Sequence, residues 1–160
     1  MRTLNCGPYT VNLFAEDNSQ TVVYAVMDRE EAQLDIASVS RVIAGYSLAG
    51  LFALWSVFQT DIFDRVVSVS GSLWFDGFTD YMRSATPPDG LWRIYLSLGD
   101  REKNARNRRI AAVEDCTRQA AEFLRAWNIP VVFEMNQGGH FQDIPDRLAR
   151  GISQLMGSNL

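Results

Sequence analysis

Arg41-Val42-Ile43-Ala44-Gly45-Tyr46-Ser47-Leu48-Ala49-Gly50, running on into Leu51-Phe52-Ala53-Leu54-Trp55, is the stretch whose reading decides the fold. Its first half has no charge between Val42 and Gly45 and suits a strand buried on both faces, as in a parallel sheet. Its second half, with Leu51, Phe52, Leu54, Trp55, Val57 and Phe58, is apolar nearly all round, the pattern of a helix in the middle of a domain. A buried strand that runs straight into a buried helix implies a sheet covered on both sides.

Outward from this stretch, apolar runs alternate with helical patterns. Toward the C-terminus, Val66, Val67 and Val69 read as a strand, Ile94 to Leu98 as another and Val131 to Met135 as the last. Between the last two, Ile110, Val113, Cys116, Ala120, Phe123, Leu124 and Trp127 recur every three to four residues and predict an amphipathic helix, a pattern that Ile144, Leu148, Ile152 and Leu155 repeat. Toward the N-terminus, Tyr9 to Ala15 and Thr21 to Met27 predict an antiparallel pair around the polar segment from Glu16 to Gln20. Arg29 to Ser38 predicts a short helix or connector. The expectation is one α/β domain over residues 1–160, a three-layer sandwich with a mainly parallel sheet and helices on both faces.

The bulk properties agree. The chain has 160 residues, 47% of them hydrophobic and 21% charged, which is enough apolar side chain for a packed core and too little charge for disorder. A net charge of −4 gives no positive field for phosphate backbones, so nucleic acid is not an expected partner. No run of about 18 apolar residues suggests a membrane span, and Met1 to Thr10 lacks the apolar stretch of a signal peptide, so the expected compartment is cytoplasmic. Cys6 and Cys116 read as reduced structural thiols, and no metal or other cofactor is expected.

In such a sheet a ligand binds beyond the carboxyl ends of the strands. That rule selects the loops starting at Gly45, Gly99 and Gln137, which carry Ser47, the carboxylates Asp100 and Glu102, and His140, the single histidine. Ser47 stands where a nucleophile elbow would place it, and the turn needs small neighbours, supplied by Gly45, Ala49 and Gly50. The Leu48 N–H, in the first helical turn, is a candidate oxyanion donor, and the Asp28 N–H is the candidate for the second. A serine hydroxyl needs a base near neutral pH, and His140 is the candidate; Asp100 or Glu102 would fix its tautomer. Asp143 and Asp146 read as the start of the C-terminal helix beside Pro145. For the substrate pocket, Tyr46 is preferred to Trp55, which is expected to be buried; Trp74, in Gly71-Ser72-Leu73-Trp74-Phe75, is the other candidate, and Trp92 reads as structural.

Three segments resemble the “Putative esterase” family of α/β-hydrolases, which includes siderophore (enterobactin-type) esterases, S-formylglutathione hydrolases and mycolyl transferases. They are Arg41 to Gly50, Phe63-Asp64-Arg65-Val66-Val67-Ser68-Val69-Ser70-Gly71-Ser72-Leu73-Trp74, and Gly139-His140. The resemblance implies an α/β-hydrolase-like fold and serine-dependent hydrolysis of a small-molecule ester or thioester through an acyl-enzyme. It also implies Glu102 rather than Asp100 as the acid, since the family's acid commonly stands three residues after a glycine at a strand end. One departure is visible: only about a dozen residues separate Met27 from the nucleophile strand, room for one parallel crossover and little more. Part of the family's oxyanion loop and pocket wall is therefore expected to be missing. The alternatives are an acyltransferase, or a catalytically impaired binding or scaffold protein that pairs as a homodimer through an uncovered sheet edge.

Overall fold

In the computed structural model, which describes residues 2–6, 9–14, 23–26, 41–86 and 88–156, seven strands form one sheet in chain order. They are β1 (Arg2–Cys6), β2 (Tyr9–Phe14), β3 (Val23–Val26), β4 (Val42–Tyr46), β5 (Arg65–Val69), β6 (Arg93–Gly99) and β7 (Val131–Asn136). From β4 to β7 every pairing is parallel. Their crossovers run through α1 (Leu48–Ser56), α2 (Phe78–Ser84), α3 (Arg108–Ala111) and α4 (Val113–Ala126), and α5 (Ile144–Met156) follows β7. The fold is α/β-hydrolase-like, with the parallel half of the sheet between two helical layers.

Residue alternation in the strands separates the two cores, because successive side chains point to opposite faces. Ile43, Val66, Ile94 and Leu96 pack with Ala53, Leu54, Ala120, Ala121 and Leu124 of α1 and α4 on one face. Val42, Ala44, Tyr46, Val67, Val69 and Tyr95 pack with Leu148, Ile152 and Leu155 of α5 on the other. Helix α4 buries Val113, Ala120 and Leu124 of the expected stripe together with Thr117 and Ala121, while Ile110 lies on the separate α3 and is exposed; α5 buries Leu148, Ile152 and Leu155.

Several details differ from the sequence expectations. Strand β3 pairs antiparallel with β4, Val23 opposite Gly45, so the short link between them spans no parallel crossover. Strand β1, which no strong apolar alternation announced, pairs antiparallel with β2. The helix expected over Arg29 to Ser38 lies outside the described residues. Helix α1 is not buried all round. Its small residues Ala49, Gly50 and Ala53 face the sheet, while Leu48, Phe52 and Trp55 are 49%, 48% and 39% exposed. Trp55 is thus not a core residue: of the large side chains of α1 only Leu54 is fully buried, and the rest of the buried face is Ala49, Gly50, Ala53 and Ser56. No helix among the described residues is long and apolar enough to cross a membrane.

Close packing on the α5 face gives a stability test. A Cβ at Gly151 would lie 2.7 Å from the buried Tyr95 ring and from Val67 Cγ1. Alanine gains about 1 kcal/mol over glycine in helix propensity, but overpacking a rigid core costs about 1–3 kcal/mol. Gly151→Ala is expected to lower the urea midpoint without changing the slope of the transition, the reverse of the propensity effect.

Candidate active site

Ser47 sits between β4 and α1 with φ 58° and ψ −122°, a conformation that costs a non-glycine residue about 1–3 kcal/mol. Its neighbours make the turn sterically feasible. A Cβ on Gly45 would run into the Ala49 carbonyl, and one on Gly50 would lie 2.9 Å from Ser68 Oγ and 3.0 Å from Gly71 Cα. The Ser47 N–H donates to the Val69 carbonyl at 3.0 Å, and the Ser47 carbonyl accepts from Gly50, Leu51 and Ser72. Leu48 opens α1, so its N–H has no acceptor within the helix.

His140 comes to this turn on the loop after β7. That loop is tied to the one after β6: Gly138 N–H donates to Asp100 Oδ1 at 2.9 Å, and Arg101 N–H to the Gly138 carbonyl at 3.1 Å. From the α5 face, the Tyr46 hydroxyl donates to the His140 carbonyl at 2.6 Å. Thus held, the imidazole has Nε2 3.0 Å from Ser47 Oγ and Nδ1 2.7 Å from Glu102 Oε2. Glu102 stands on a single 3-10 turn, Glu102–Asn104, and is 6% exposed. Burial alone would raise its carboxyl pKa, but hydrogen bonds from His140, Ser70 and the Gly99 N–H outweigh it and hold the pKa below the usual 4.5. An ionised carboxylate only accepts, so Nδ1 carries the ring proton and Nε2 is left to accept from the Ser47 hydroxyl.

Of the sequence candidates, Ser47, His140 and Glu102 therefore form one hydrogen-bonded series, and Asp100 stays outside it as the acceptor for Gly138. The Asp28 N–H lies outside the described residues. A cleft of about 390 Å³ opens over the series, lined by Ser72, Trp74, Ile110, Val113 and Phe141. Trp74 lines it; Tyr46 does not. Tyr46 is 2% exposed, packs 4.9 Å from the imidazole and supports the His140 loop from below. The pleat explains the correction, since Val42, Ala44 and Tyr46 share the face that meets α5. Trp55 lines a separate apolar groove with Leu48, Phe52 and Phe75.

Sequence reading missed Ser70 and Arg147. Ser70 Oγ donates to Glu102 Oε1 at 2.5 Å, and Arg147, 2% exposed, donates to Ser70 Oγ at 2.7 Å. Arg147 left a trace in the sequence: it falls on the apolar face of α5, between Ile144 and Leu148, where a charge needs a partner.

A sheet with helices on both faces and a serine on the turn from a central strand into a helix defines an α/β-hydrolase-like protein. The sequence profile of the “Putative esterase” family matches residues 20–141, and the chain belongs to that family. Among solved structures it is similar to the siderophore hydrolase EstA from Aspergillus nidulans, with TM-score 0.55 and 23% identity over 82% of this chain and 52% of that one. It is also similar to the siderophore hydrolase EstB from the same organism, with TM-score 0.53 and 22% identity over 71% of this chain and 47% of that one. The chain thus spans about half the length of these structures. No curated protein sequence matches it.

Two measurements test the local physics. Ser47→Gly and Ser47→Ala both remove the hydroxyl, but only glycine accepts a positive φ freely, so the glycine variant is expected to be about 1 kcal/mol more stable in denaturant titrations. Because the folded Glu102 pKa is depressed, its contribution is present above the ordinary carboxylate range and lost as pH falls through the folded value. Wild type should therefore lose stability more steeply below about pH 4.5 than Glu102→Gln, as read from thermal midpoints against pH.

Proposed function

We propose that the protein hydrolyses carboxylic esters or thioesters of small molecules through an acyl-enzyme, with Ser47 as nucleophile, His140 as general base and acid, and Glu102 as the group that orients His140. The observation that carries this reading is the position of the imidazole, 3.0 Å from the serine hydroxyl on one side and 2.7 Å from a buried carboxylate on the other. In the first step Ser47 Oγ attacks the carbonyl carbon while its proton passes to His140 Nε2. The negative charge on the tetrahedral oxygen is met by the Leu48 N–H at the start of α1. The imidazolium, stabilised by Glu102, then returns the proton to the leaving alcohol or thiol. Water, deprotonated by the same nitrogen, repeats the attack and frees the acid and Ser47.

The cleft and the relatives support a substrate class. Trp74, Phe141, Ile110 and Val113 offer an apolar lining suited to an acyl or aryl group. EstA and EstB are described as siderophore hydrolases, so ester-linked siderophores are the first natural substrates to try. An alcohol or thiol in place of water would make the same residues an acyltransferase.

A fluorophosphonate probe is expected to label Ser47, with labelling lost in Ser47→Ala and His140→Ala. With p-nitrophenyl acetate, wild type should show turnover that Glu102→Gln reduces by about 10³–10⁴-fold in kcat, in line with the loss of the orienting acid in serine triads. A folded wild type that neither reacts with the probe nor turns over the ester would reject the hydrolase and favour the binding-protein alternative.

A further inference from the structure

We infer that Arg147, acting through Ser70, is a positioning residue for Glu102: a buried cation that anchors one carboxylate oxygen so that the other is held for His140. The inference rests on the proposed role of Glu102, and it follows from how the protons must point. An arginine only donates, and an ionised carboxylate only accepts. With Arg147 Nη2 donating to Ser70 Oγ at 2.7 Å, the one Ser70 proton is directed to Glu102 Oε1, 2.5 Å away. The same oxygen accepts the Gly99 N–H at 2.6 Å and faces Arg147 Nη1 at 3.7 Å. Oε2 is left for His140 Nδ1 at 2.7 Å. The result is a single directed series from Arg147 through Ser70, Glu102 and His140 to Ser47.

A purely stabilising role is the weaker account. Buried ion pairs roughly break even against their desolvation, so net stability is a poor reason to place a guanidinium at 2% exposure. Burial pulls the Arg147 pKa down and the facing Glu102 opposes it. Ser70 also adopts φ 47°, a strained backbone that sets its hydroxyl between the two charges.

The charged and titratable groups around this centre come from four elements. Tyr46 of β4, Tyr95 of β6 and Glu134 of β7 face Arg147, and His140, from the loop after β7, faces Glu102. Arg150 of α5 is paired with Glu134 and stays in place, so removing the Arg147 charge makes uptake of a proton by the Glu102–His140 pair easier and moves the acid limb of activity to higher pH.

The test uses Arg147→Met, Arg147→Lys and Ser70→Ala, with two readouts. Because the chain has one histidine, a far-downfield ring N–H proton resonance in the NMR spectrum reports the His140–Glu102 hydrogen bond alone. Arg147→Met is expected to lose that resonance or move it upfield, while Arg147→Lys keeps it. In p-nitrophenyl acetate hydrolysis, Arg147→Met should lower kcat about tenfold or more with KM changed less than about threefold. Its acid limb should rise by about half to one pH unit, and Arg147→Lys should restore the limb. If Arg147→Met does not fold, Ser70→Ala decides, with smaller changes in the same directions. A folded variant that keeps both the wild-type resonance and the wild-type limb overturns the inference. A wild type with the resonance but without turnover would reject the hydrolase reading instead, and the resonance in the variants would still decide the role of Arg147.

Discussion

The contact on which the structure depends is the close approach of α1 to β4 and β5, made possible by residues without bulk at Gly45, Ala49, Gly50 and Gly71. Any side chain at Gly45 would meet the backbone of Ala49, and one at Gly50 would press on Ser68 and Gly71. This proximity forces the chain to reverse within one residue after Tyr46. That reversal lifts Ser47 to the end of the sheet with its N–H bonded to β5 and its hydroxyl in reach of His140 Nε2. It also explains why Leu48, Phe52 and Trp55 face outward: the buried side of α1 carries Ala49, Gly50, Ala53 and Ser56, with Leu54 as its one fully buried large side chain.

The rest of the site uses the same end of the parallel sheet. Glu102 follows β6, His140 follows β7, and bonds between these two loops through Asp100, Arg101 and Gly138 fix their separation. Asp100, the rival candidate acid, thereby has a separate part, since its carboxylate holds the backbone of the loop that carries the imidazole. Below the sheet, Tyr46 and Arg147 reach up from the α5 side, one to the His140 carbonyl and the other to Ser70. The site is therefore held from both faces, and α5 contributes to it without lining the cleft.

Much of this was legible in the sequence because it depends on local rules. The buried strand, the small residues around Ser47 and the amphipathic period of α4 and α5 each leave a direct pattern, and the order of serine, acid and histidine follows from strands that alternate with helices. What was not legible depends on the pleat and on distant pairing. Its place beside Ser47 in sequence suggests a pocket position for Tyr46, yet neighbours in a strand point to opposite faces, and counting by twos from Val42 sends it toward α5. An apolar helix suggests a core position for Trp55, but burial of α1 is limited by how near it lies to the sheet. The Ser70 and Arg147 pair spans 77 positions, and no spacing rule foretells such a contact, although an arginine on the apolar face of α5 marks a charge in want of a partner.

Ser47 and Ser70 share a further feature that ties the strain at this site to the sheet itself. Each is the residue after a parallel strand, and each has positive φ, 58° and 47°. Tyr46 pairs with Val69 and Val69 with Ser97 at the strand ends. The Ser47 N–H then bonds the Val69 carbonyl at 3.0 Å, and the Ser70 N–H bonds the Ser97 carbonyl at 2.7 Å. Each strained residue thus adds one more rung to the ladder before the chain leaves it. A backbone hydrogen bond contributes about 0.5–1.5 kcal/mol net, comparable with the lower part of the 1–3 kcal/mol cost of such a conformation. The two bonds alone do not hold both serines in place. The remainder must come from what the turns make possible, namely the packing of α1 on the sheet at Ser47 and the buried charge network at Ser70, so that neither turn is stable apart from the structure around it.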